Sequence, residues 1–147
     1  MEIKRLKCEY KGRDGKMVTK PYGAGAKVGN LIFLAGMAGI DPETNQIVMD
    51  PLYNCRVDEI VKNQTEVTIK KIDATLKKFG ASLKDIIKIT TYLTQVETFP
   101  IVVETMKKLF PADLQPESIP HTAFEIPRLV PPGAYLEIEV IAVAPEK

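Results

Sequence analysis

From Val57 to Phe79 the chain repeats at helical spacing. Val57, Ile60, Val61, Gln64, Val67, Thr68, Ile72, Leu76 and Phe79 fall on or near one stripe, with Lys, Glu and Asp opposite. A one-sided helix about 35 Å long, at a rise of roughly 1.5 Å per residue, must lie against something flat and apolar. Gly80 follows as the C′ residue that ends it. A second helical pattern, "TFPIVVETMKKLF" (98–110), has Thr98 at the N-cap position and Pro100 early enough to be tolerated.

The remaining patterned stretches are extended. "MEIKRLKCEYKGRDGKMVTK" predicts two strands about a turn at 12–15, and Gly29-Asn30 predicts a hairpin turn before "LIFLAG", a run expected to be buried on both faces. Asp41-Pro42 starts a turn, and Asn45 is placed in the left-handed region. "SLKDIIKITTYLTQV" (82–96) is rich in β-branched residues and reads as a strand, and two more strands flank "PPG" at 131–133. The order β-β-β-α-β-α-β-β gives an α+β sheet with both helices on one face. With no third helix to cover the other face, association of copies through the sheet is expected.

A chain of 147 residues suits one domain, 1–147, with residues 1–19 as an N-terminal extension or extra strand pair. Twenty basic against nineteen acidic side chains leave a charge of +1, which points away from nucleic-acid and membrane partners. The lysine pairs at 70–71, 77–78 and 107–108 read as solvated helix faces. There is no 18-residue apolar run and no leader-like N-terminus, so a cytoplasmic location is the default. Cys8 and Cys55 match no metal or redox spacing and read as structural thiols, and one histidine leaves no Cys/His zinc set.

The chemistry concentrates in "IPHTAFEIPRLVPPGAYLEIEVIAV" (119–143). In a strand, Glu137 and Glu139 share one face, roughly 6.5 to 7 Å apart, while Leu136, Ile138, Val140 and Ala142 form the other, apolar one. Ile141 and Val143 continue the glutamates' face, so the carboxylates are expected to be partly desolvated, with a raised pKa suited to a general base. His121, the only histidine, reads by itself as an edge or surface residue. Thr122 points to the opposite face of the strand. Tyr22 follows Pro21 in a glycine-rich approach, Gly36 and Gly39 allow close backbone approach, and Phe124 and Tyr135 read as core or subunit contacts.

Three segments, "KPYGAGAKVGNLIFLAGMAGIDPETNQIV" (20–48), "QTEVTIKKIDATLKKFGASLKDIIKITTYLTQVETF" (64–99) and "GAYLEIEVIAV" (133–143), resemble the Rid family of reactive-intermediate deaminases, also described as YjgF-type or endoribonuclease L-PSP-type proteins. The resemblance implies a chorismate-mutase-like α+β subunit and a homotrimer with a site in each intersubunit cleft. It further implies cofactor-free and metal-free hydrolysis of imines and enamines, releasing ammonia. A glutamate opening the "EIE" run orders water, an arginine in "P-A-R-[ST]" holds the substrate carboxylate, and a tyrosine and an asparagine complete the cleft. Carried over, the glutamate is Glu137 and the tyrosine is Tyr22. The arginine falls on His121 and the asparagine on Val103, so the carboxylate anchor is missing; Arg128, seven residues on, is the remaining arginine of the segment. The expected protein is therefore a deaminase-like hydrolase with Glu137 and His121 catalytic, and Tyr22, Gly36, Val103 and Arg128 in the pocket. Its small-molecule substrate is expected to differ from the usual 2-imino acids. A non-catalytic trimeric metabolite- or partner-binding module is the alternative, and an endoribonuclease the weaker one.

Overall fold

The computed structural model describes residues 1–49 and 56–146. Cys55 lies outside them, so its expected structural role is not addressed. The elements are β1 (Ile3–Lys11), β2 (Met17–Val28), β3 (Leu31–Leu34), β4 (Met37–Ala38), α1 (Val57–Lys78), β5 (Ile86–Leu93), α2 (Phe99–Leu109), β6 (His121–Glu125) and β7 (Leu136–Val143). They form one mixed sheet in the order β1-β2-β3-β7-β5-β6, with β4 pairing β7 alongside β3. Only β5 and β6 pair in parallel, because α2 carries the chain back over the sheet between them.

Local chemistry explains the joints. Gly15, Gly29 and Asn45 take the positive φ their turns require. At the end of α1 the Ala81 N–H donates to the Leu76 carbonyl at 3.1 Å while Gly80 sits at φ 81°, the closure expected of a C′ glycine. Thr98 does not cap α2 as its position suggested. It lies in a single 3₁₀ turn leading into the helix, and its Oγ1 donates to the Gln95 carbonyl at 2.7 Å.

Both helices pack on one face of the sheet. From α1, Val61, Ile69, Ile72 and Leu76 meet Ile32, Ile89, Leu136, Ile138 and Val140, and Val102 and Met106 of α2 join the same core. Burying each such aliphatic side chain contributes about 1.5–3 kcal/mol. The other face is uncovered, and "LIFL" shows the consequence. Ile32 and Leu34 are buried while Leu31 and Phe33 are 41% and 44% exposed, so the run is buried on one face and not on both. Val143 of β7 is exposed beside them, and Phe124 is exposed on the edge strand β6.

The buried Gln64 is the main polar fixture of the core. Its Nε2 donates to the carbonyls of Val48 (3.0 Å) and Gly133 (2.9 Å), and its Oε1 accepts from the Tyr135 N–H at 2.8 Å. One amide thus ties the 41–48 loop and the approach to β7 onto α1. Gly39 is pressed against it, since a Cβ there would lie 2.6 Å from the Gln64 Cα.

Candidate active site

β7 runs through the middle of the sheet, so its alternation sets the site. Leu136, Ile138, Val140 and Ala142 are buried under the helices, and Glu137 and Glu139 project from the uncovered face, half-buried. Glu137 is opposite Ala38 of β4 on one side and Tyr92 of β5 on the other. Its carboxylate lies directly over Gly36, in the space a Cβ would need. Any side chain at 36 would therefore displace it.

The electrostatics favour a protonatable Glu137. Burial raises its pKa, the charge of Glu139 raises it further, and the Lys71 ammonium opposes both. Lys71 itself was expected on a solvated helix face. It is instead half-buried, donating to the Ala38 carbonyl at 3.1 Å, with its pKa lowered by burial and then by Lys20. A helical wheel shows that Lys71 leaves α1 beside the apolar stripe; it does not show that β4 runs past that point. Tyr92 completes the acidic row, its hydroxyl donating to Glu139 Oε1 at 3.0 Å and its ring stacked on Phe124. Burial and that hydrogen bond raise the phenol's pKa.

His121 lies on the other face. In the parallel β5–β6 register it is level with Ile89, whose side chain is buried under the helices. Its Nε2 is 2.7 Å from the Oγ1 of the buried Thr91, and its ring meets Phe99 of α2 edge-on. Burial and then the charge of Lys88 lower its pKa, which keeps the imidazole neutral at pH 7. Glu137 and His121 of one chain are thus separated by the sheet, and the two do not share acid–base work within one subunit. Thr122 points away from His121, onto the glutamates' face, where Lys88 Nζ donates to its Oγ1.

The other expected pocket residues divide between these places. Val103 lines a concavity with His121, Met106, Pro116 and Ser118 along the margin of α2. Gly36 is under Glu137. Tyr22, on β2, is exposed with its ring 5.8 Å from the Lys20 ammonium. Arg128 lies in the loop before β7, around a separate concavity formed by residues 128–134.

Residues 15–144 match the family model described as endoribonuclease L-PSP. The chain belongs to that family, the Rid/YjgF proteins. It is 38% identical over 122 residues to a RutC family protein of Pyrococcus abyssi, covering 83% of this chain and 85% of the relative. To the chloroplastic reactive intermediate deaminase A of Arabidopsis thaliana it is 34% identical, covering 83% of this chain and 58% of that one. Among solved structures, Escherichia coli TdcF with bound serine superposes with a TM-score of 0.70 at 29% identity, covering 84% of this chain and 88% of TdcF. No group of three or more His, Cys, Asp or Glu side chains among the described residues could hold a metal ion.

Proposed function

We propose that the protein is a cofactor-free hydrolase of imine or enamine intermediates, working in clefts between the subunits of a homotrimer. The observation that carries this is Glu137, a half-desolvated carboxylate with a raised pKa, seated over Gly36 on a sheet face that its own chain leaves uncovered. Such a carboxylate accepts a proton from water at near-neutral pH. The water oxygen bonds to the imine carbon and Glu137 passes the proton to nitrogen, giving a carbinolamine. The carbinolamine hydroxyl proton then moves through Glu137 to the nitrogen, the C–N bond breaks, and the products are a carbonyl compound and ammonia. His121 and Val103 of one subunit would meet Glu137 of the next across the cleft, with neutral His121 donating a hydrogen bond to the leaving nitrogen. Relatives named reactive intermediate deaminases and the serine-bound structure of TdcF support a small amino-acid-derived ligand. His121 and Val103 standing where a typical member has arginine and asparagine support a substrate outside the usual 2-imino acids.

The same substitutions favour a second reading, a trimer that binds a small metabolite without turnover. Ammonia release separates the two. Freshly generated 2-aminoacrylate and a panel of cyclic and aromatic imines are supplied to the protein and to Glu137→Ala. Hydrolysis of at least one substrate is expected, reduced by roughly 10²–10⁴ in the variant. Silence across the panel together with a co-purifying ligand in native mass spectrometry supports binding alone, and turnover unchanged by Glu137→Ala removes the mechanism.

A further inference from the structure

The floor of the Glu137 site is β4, and β4 is thinly held. It is two residues long and pairs with β7 alone, with Ala38 level with Glu137. Gly36, just before it, lies under the carboxylate. A further hold comes from the helix layer, where Lys71 of α1 donates to the Ala38 carbonyl at 3.1 Å. That carbonyl does not need the lysine, because it already accepts the Ile40 N–H at 2.7 Å. Nor does the lysine gain an ion pair, since no carboxylate among the described residues lies within 4.0 Å of its Nζ. A half-buried ammonium without a counter-ion is costly, and a neutral donor would bond the same carbonyl at less cost. What a neutral donor would not bring is charge.

The groups around the two residues sort by sign. Burial disfavours the charge of Lys71, Lys20 of β2 does so next, and Cys8 of β1, Asp41 and Glu137 favour it. On Glu137, burial and then Glu139 favour the proton, and Lys71 opposes it. Tyr92, level with Glu137, gives its hydrogen bond to Glu139 instead. Lys71 thus acts on Glu137 without touching it, with the Ala38 backbone between them.

We infer that Lys71 is a positioning residue for Glu137: from the helix layer it fixes the β4 backbone beside the carboxylate and supplies the cation that favours its charged form. Its role in turnover rests on the reading of Glu137 as the general base. A carboxylate seated over backbone on a half-buried face holds its proton too tightly to serve as a base unless a positive charge offsets the burial and Glu139. Lys71 provides that offset from behind the floor, which leaves the open side of Glu137 free for water and substrate.

The test is a titration, which needs no turnover. The intact protein is labelled with carboxyl-¹³C glutamate, the Glu137 signal is assigned by its loss in Glu137→Gln, and its shift is followed with pH by NMR. Lys71→Met should bind the Glu137 proton at least about threefold more tightly than the parent, and Lys71→Arg, which keeps the charge, should differ from the parent by less than about twofold. Ammonia release should then fall more in Lys71→Met at pH 5 than at pH 8. A reciprocal measurement needs no Lys71 variant and decides the matter if Lys71→Met fails to fold. In Glu137→Gln the Lys71 ammonium, followed by its side-chain NMR signal, should lose its proton more readily by the same factor. A Glu137 titration unchanged in folded Lys71→Met, or a Lys71 titration unchanged in Glu137→Gln, overturns the assignment. So does Lys71→Arg that moves the Glu137 titration as far as Lys71→Met does, since packing and not charge would then be responsible. Failure of the hydrolase reading is seen separately, as absent ammonia release with the coupled titrations intact.

Discussion

At Glu137 a single carboxylate carries opposite consequences for activity and for stability. Its folded pKa is raised above the ordinary 4.5, so ionisation is less favourable in the folded chain than in the unfolded one. Folding is therefore favoured while the group is protonated, below 4.5, and that advantage is lost as pH rises through the folded value. Glu137→Gln should raise the free energy of urea unfolding at pH 7, by less than about 1 kcal/mol because half the group remains in water, and leave it unchanged near pH 4. His121 has the reverse sign. Its pKa is lowered from 6.5, so its contribution is full above 6.5 and is lost as pH falls through the folded value. Wild-type Tm should drop between pH 7.5 and 5, and His121→Asn, which can still bond Thr91, should flatten that drop. Glu137 was legible in the sequence because the alternation of "LEIEVIAV" decides its face. The face of His121 was not, because its strand pairs in parallel with β5 and nothing local fixes that register.

Among the elements, α1 was the easiest to read and the easiest to misjudge in detail. Its length and stripe follow from periodicity, and Ile60, Val61, Ile72 and Leu76 are buried as spaced. Periodicity treats Gln64 as one more position on the stripe, whereas three backbone groups depend on its amide. Gln64→Leu keeps volume and helix propensity but orphans the Val48 and Gly133 carbonyls and the Tyr135 N–H. The expected cost is about 3 kcal/mol, measured by urea unfolding. A cost below about 1 kcal/mol would mean that the loops hold themselves. The strand at β3 was legible but its alternation was not, because "LIFL" is apolar throughout and the sequence does not say whether a second layer covers Leu31 and Phe33. That depends on what lies outside the chain.

The molecule as a whole presents one covered and one uncovered sheet face, with the candidate acid–base residues divided between them. Leu31, Phe33, Phe124 and Val143 are exposed around the glutamate row, an arrangement suited to burial against another copy. The proposed trimer turns the division of residues into a working site, because Glu137 of one subunit and His121 of its neighbour can face a common cleft. Subunit mixing measures this directly. Glu137→Ala and His121→Ala trimers, each with little or no activity, are dissociated, combined in equal amounts and reassembled, and ammonia release is assayed. If each site draws its two residues from different subunits, random mixing restores intact pairs at roughly a quarter of the sites, and activity returns to about that fraction of wild type. If activity stays at the level of the separate variants although mass spectrometry shows mixed trimers, the site is not shared between subunits and the account fails.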